Sequence, residues 1–118
     1  MTTMITASLI LNLVVLLPVC VGIVRNSPWA TIAYGGVTPA RGILLAVYVV
    51  IALFSAVLLF VSDPCLVACL LAAQVSYKLL TPITVGTIDN PVVKANLMIA
   101  TFHLLTLVII WRSNPWML

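Results

Sequence analysis

An all-α integral membrane fold, four transmembrane helices in a bundle with short loops, is predicted by three features of the sequence taken together. Of its 118 residues, 64% are hydrophobic and 6% charged, where a soluble domain carries about 25% charged residues to keep its surface wet. Four apolar runs are long enough to cross the ~30 Å hydrocarbon core of a bilayer at 1.5 Å per residue. Three of these runs open on one grammar, a capping residue followed by proline: Thr38-Pro39, Asp63-Pro64 and Asn90-Pro91. The cap accepts a bond from an otherwise unpaired backbone N–H, and proline at the first helical position has no N–H to satisfy. Continuous apolar runs of this length also exclude a β-barrel, whose strands alternate and are about half as long.

In chain order, the first span is expected over residues 4–24, ending at Arg25, with Pro18 kinking it by freeing the carbonyl of Val14. No Lys or Arg precedes its apolar run and no small-x-small cleavage pattern follows, so the segment reads as a retained helix rather than a removed leader. The link to the second span carries Trp29, Tyr34 and Gly35-Gly36, and its aromatics suit the headgroup layer, with a short interfacial turn over Ala30 to Ala33. The second span is expected over residues 39–61 and the third over 64–80. Their link, Ser62-Asp63, is short enough to force them antiparallel and adjacent. A turn holding Pro82 and Gly86 leads to the fourth span, expected over 91–111 and ending at Arg112. All 118 residues read as a single membrane domain.

Charge carries topology rather than recognition. The acidic residues are Asp63 and Asp89 and the basic ones Arg25, Arg41, Lys78, Lys94 and Arg112, too sparse to hold nucleic acid by neutralising phosphates. Four of the five cations fall at one set of helix ends, which under the positive-inside rule predicts that set to be cytoplasmic and both termini to be non-cytoplasmic.

Ionisable and polar groups inside a span are costly and so mark candidate sites. His103 lies near the middle of the fourth span, and Asn96 and Thr106 share its face. The functional readings are a proton relay, a substrate site, or a weak metal or pigment ligand. The alternative is a neutral imidazole hydrogen-bonded to a neighbouring helix, and the lack of a second ligand at metal spacing favours it. In the third span Gln74, Tyr77 and Lys78 form one side, and Lys78 lies within one turn of the expected helix end, from which its stem can snorkel. Otherwise it is a buried cation that pairs with Asp89 or an anionic ligand.

Cys65, Ala68, Cys69, Ala72, Ala73 and Ser76 form a second stripe of small residues, suited to close packing against the second span or another copy of the chain. Cys20, Cys65 and Cys69 read as packing residues rather than a disulfide framework. Arg41, Tyr48, Ser55 and Ser62 repeat every seven residues in the second span and define an inward stripe, and Ser8 and Asn12 make a polar pair one turn apart in the first.

No H-E-x-x-H, phosphate-cradling glycine loop or G-x-S-x-G elbow occurs, and the loops are too short for a water-exposed active site, so an enzyme is not expected. The partners expected are the lipid bilayer and other membrane subunits or further copies of the chain. The leading functional expectation is an accessory or structural subunit of a larger membrane complex. A small homo-oligomeric transporter or channel with a midplane polar site around His103 is the first alternative, and a pigment- or haem-holding subunit the second.

Overall fold

The computed structural model describes residues 1–113. It holds five helices in the order α1 (Thr2–Val24), α2 (Pro28–Tyr34), α3 (Pro39–Phe60), α4 (Pro64–Val85) and α5 (Pro91–Ser113). Helices α1, α3, α4 and α5 are each long and apolar enough to cross a membrane, and at 22 or 23 residues they measure about 33–35 Å. The chain is therefore a multi-pass helical membrane bundle. Its outer surface is apolar, with Phe60 89%, Ile83 77% and Met98 75% exposed, as a surface solvated by lipid tails requires.

The three predicted caps all form. Thr38 Oγ1 accepts from the Arg41 N–H at 3.2 Å, an Asp63 oxygen from the Cys65 N–H at 2.9 Å, and Asn90 Oδ1 from the Val92 N–H at 2.8 Å. Ser27-Pro28 also begins a helix, α2, with proline in its first turn. The interfacial turn expected over Ala30 to Ala33 is thus a two-turn helix that starts earlier and ends later than that segment. It docks on α1 where Gly22 leaves room for the Trp29 ring, since a Cβ at Gly22 would collide with that indole.

The second helical correction is at the end of α4, which continues to Val85 instead of stopping at Leu80. Pro82 has no N–H to donate to the carbonyl of Lys78, the partner it would have in a regular helix. The Thr81 hydroxyl donates to that carbonyl instead, at 2.6 Å. Helix α4 therefore runs through the proline and ends at Gly86, whose φ of 88° is the left-handed cap that glycine adopts without strain.

Packing departs from chain order. The tightest pairs are α4 with α5 and α1 with α3, joined across the bundle by α1 and α5, while α3 and α4 meet much less closely despite their short link. A two-residue link fixes that their ends meet, but not that their axes stay together. Two apolar layers result. Ile5, Leu9, Leu58, Val67, Leu71 and Ile110 close the end that holds the N-terminus, and Leu16, Ile23, Ala30, Tyr48, Ile51 and Ala52 fill the half beneath α2. The buried polar side chains lie between and beside them.

At the α2 end, Arg41 ties the links together. Its guanidinium donates to Gly35 O at 3.1 Å and Asn26 Oδ1 at 3.0 Å. Asn26 takes the positive φ of 52° that closes α1, a conformation asparagine tolerates better than most residues. The Asn90 amide adds a bond to Ala33 O at 3.0 Å, holding α2 against the start of α5.

Candidate functional site

All four spans contribute to a buried polar cluster centred on Asn12 of α1. The amide orientation follows from its neighbours. Ser55 donates its hydroxyl hydrogen to Ile51 O at 2.8 Å, so its oxygen can only accept, and the atom facing it at 3.0 Å is the Asn12 amide nitrogen. That nitrogen also donates to Gln74 Oε1 at 2.8 Å. Asn12 Oδ1 accepts twice, from Gln74 Nε2 at 3.1 Å and from His103 Nε2 at 2.8 Å. Asn12 thus uses its full capacity of two donors and two acceptors.

His103 is fully buried, and its hydrogen-bond roles can be worked out from the same logic. Nε2 faces an acceptor, so it carries a hydrogen. In the neutral imidazole Nδ1 is then an acceptor, and it lies 3.1 Å from Ser8 Oγ. Ser8 Oγ lies 2.7 Å from Thr106 Oγ1, and Thr106 Oγ1 lies 3.3 Å from Phe102 O.

This chain has two complete arrangements. With neutral His103, Thr106 donates to Ser8 and Ser8 donates to Nδ1. If one proton is added at Thr106 and each hydrogen moves one place along, Nδ1 becomes protonated and donates to Ser8, Ser8 donates to Thr106, and the added hydrogen on Thr106 turns to Phe102 O. Protonating the imidazole therefore reverses two hydroxyls without leaving a partner unmade. Both ring nitrogens are engaged in hydrogen bonds in either arrangement. No group of three or more potential metal ligands occurs among the described residues.

A second polar group lies on the α2 side. Lys78, only 3% exposed, donates from Nζ to Asn96 Oδ1 at 3.2 Å, and the Asn96 amide reaches Thr81 Oγ1 at 3.5 Å. The Tyr77 ring sits 5.3 Å from Nζ, within range of a cation–π contact. No salt bridge joins Lys78 to a carboxylate among the described residues. The snorkelling expected of Lys78 does not occur, because α4 continues past Leu80 to Val85 and leaves the lysine nearly two turns from the helix end. Pairing with Asp89 does not occur either: Asp89 is exposed in the link that follows α4.

Two cavities flank this group. One of about 450 Å³ is lined by residues from α2, α3, α4 and α5, among them Tyr34, Tyr48, Tyr77, Thr81, Asn90 and Asn96. The other, about 240 Å³, lies between α1, α2 and α5 and also reaches Asn96. The Tyr77 hydroxyl is buried with no hydrogen-bond partner among the described residues.

The five residues singled out in the spans, Gln74, Lys78, Asn96, His103 and Thr106, are all buried inside the bundle. They form two neighbouring groups rather than one, with Thr106, His103 and Gln74 in the Asn12 cluster and Lys78 with Asn96 on the α2 side. Of the inward stripe on α3, Arg41, Tyr48 and Ser55 are buried, while Ser62 lies exposed beyond the helix end. Within the small-residue stripe, Cys69 and Ala73 stand at grooves shared with α3. Cys65, Cys69, Ala72 and Ala73 are exposed on the outer face of α4, as is the Ser76 hydroxyl bonded to Ala72 O, and Ala68 is partly buried.

No protein-family model, curated protein or solved structure matches the chain.

Proposed function

We propose that the chain is a small membrane transporter whose internal polar track carries protons. The observation that supports this reading is the reversible hydroxyl chain on His103, set in a track of buried polar groups. On α5 and its cap the track runs from Asn90 through Asn96 and His103 to Thr106, about 24 Å along the axis at 1.5 Å per residue, most of the hydrocarbon thickness. A buried cluster serving only to fix helix register needs one satisfied arrangement. This cluster has a second, reached by taking up a proton.

The two ends differ. On the α2 side the track meets the 450 Å³ cavity, and on the other side the apolar layer of Ile5, Leu9 and Ile110 closes it. Access from one side at a time is what a carrier requires. The α2 end, with Arg25, Arg41 and Lys94, is the cytoplasmic one in this reading, and the N-terminus faces away from the cytoplasm.

The test is reconstitution of the purified protein into liposomes with an imposed pH gradient and a trapped pH-sensitive dye. Proteoliposomes are expected to dissipate the gradient faster than protein-free liposomes of the same lipid, in proportion to protein content. Equal rates would contradict the proposal.

An accessory-subunit role is the second reading, and the loose α3–α4 seam favours it. Two apolar cavities of about 430 and 440 Å³ lie along that seam, both lined by Phe54 and Leu70. The exposed small side chains of Cys69 and Ala73 stand at the same grooves, where a neighbouring transmembrane helix could approach closely. Co-purification in mild detergent of a membrane partner in fixed stoichiometry, with no proton flux from the chain alone, would favour this reading over transport.

A further inference from the structure

We propose that the cavity beneath α2 binds a small organic anion, with its acidic group paired to Lys78 and its apolar body against the tyrosines. This names the solute class for the track described above and rests on the transport reading for its movement across the membrane, though not for its binding.

Lys78 is a buried cation in a low-dielectric interior with no carboxylate partner among the described residues, and a lone buried charge is costly unless something neutralises it. The chain's two acidic residues are Asp63 and Asp89. Asp63 caps α4 at the far end of that helix, and Asp89 is exposed. No carboxylate among the described residues supplies a counter-charge, and an anion bound from outside the chain would provide it.

Geometry provides the place. The partner of Nζ, Asn96, lines the 450 Å³ cavity, and so does Tyr77, whose ring flanks Nζ. The ammonium thus lies directly behind the cavity wall and uses one of its three N–H donors on Asn96. An entering carboxylate takes one oxygen to Nζ in place of Asn96 Oδ1, and its other oxygen accepts from the Asn96 amide nitrogen. Tyr77, whose buried hydroxyl has no hydrogen-bond partner among the described residues, lines the same cavity. Opposite, Tyr34 and Tyr48 pack edge to face with centroids 5.9 Å apart and offer ring surface to an apolar body. A few polar groups and aromatic walls with the ammonium behind them suit a small-molecule site and select an amphipathic organic anion over a hydrated inorganic one.

Benzoate is the probe, with the neutral benzamide as control. Binding to the purified full chain in neutral detergent is measured by titration calorimetry. Saturable benzoate binding is expected, with benzamide at least about tenfold weaker. Lys78→Met is expected to weaken benzoate at least about tenfold, and Lys78→Arg to retain it, with the melting transition of each variant confirming its fold. Apolar replacement of a buried cation that has no carboxylate partner among the described residues is compatible with folding.

A lipid headgroup offers the same chemistry as a free solute, and nanodiscs separate the two. If phosphatidylglycerol in place of phosphatidylcholine weakens benzoate binding to the wild type, the site takes an anionic headgroup. If it does not, the anion comes from water. The proposal is overturned if no saturable benzoate binding is seen, or if folded Lys78→Met binds it as tightly as the wild type. Benzoate binding without proton flux would leave this site standing and remove the transport reading, and flux without benzoate binding would do the reverse.

Discussion

His103→Gln should reduce proton flux through reconstituted protein by at least about 100-fold, the lower range of what a positioned proton-transfer group contributes, while costing about 1 kcal/mol or less of stability. The two effects separate because glutamine can keep the hydrogen bonds and lose the chemistry. Its amide nitrogen can donate to Asn12 Oδ1 as Nε2–H does, and its amide oxygen can accept from Ser8 as Nδ1 does. An amide does not take up a proton in this pH range, so the Ser8–Thr106 chain is locked in one direction. Flux is read from the decay of an imposed pH gradient in liposomes at matched protein density, and stability from the unfolding midpoint in the same lipid. Ser8→Ala belongs in the same assay, because it cuts the chain between His103 and Thr106 while keeping the imidazole and its Nε2 bond to Asn12.

Asn12→Ala is the substitution expected to cost most stability, about 2–4 kcal/mol. The asparagine holds side chains of three other helices. Its removal orphans the Nε2–H of His103, one N–H of Gln74 and the Gln74 carbonyl. Each unsatisfied buried group costs about 1–3 kcal/mol. Interhelical bonds in membranes are worth less on average, about 0.6 kcal/mol, because the inserted but unpacked helices find other partners, and that brings the total toward the lower figure. Ser55→Ala makes the contrast, since Ser55 only accepts from Asn12 and its loss leaves a single amide hydrogen to turn elsewhere. Reversible unfolding in mixed micelles measures both variants, and equal small effects would show that Asn12 is not the hub.

Much of this arrangement could be read from residue order. Thr38-Pro39, Asp63-Pro64 and Asn90-Pro91 marked three helix starts because caps and proline act locally, within one turn. The end of α4 could not be read the same way. Pro82 looks like a breaker until the Thr81 hydroxyl is seen to supply the missing bond to Lys78 O, and that one misplaced boundary made Lys78 look terminal.

The site residues on α5 and α4 stood out because a histidine, a lysine or a glutamine in an apolar run is conspicuous. Asn12 and Ser8 were visible as a pair, but nothing in α1 alone shows that Asn12 joins all four spans. That role depends on which helices pack together, and the two-residue link pointed to α3 with α4 where the bundle instead pairs α4 with α5 and α1 with α3.

Proton exchange between His103 and Ser8 can be followed in the nitrogen NMR signals of His103 in bilayers, because the chain has one histidine and the spectrum has no competing imidazole. The other ionisable groups within the bundle are Lys78 and Tyr77 from α4, Tyr48 and Arg41 from α3, Tyr34 from α2 and Cys20 from α1, and none is a carboxylate. The expected spectrum is that of a neutral ring with its hydrogen on Nε2, which on acidification gains a second hydrogen on Nδ1 while the helices stay folded. A neutral ring with its hydrogen on Nδ1, or one that stays neutral until the bundle unfolds, would contradict it.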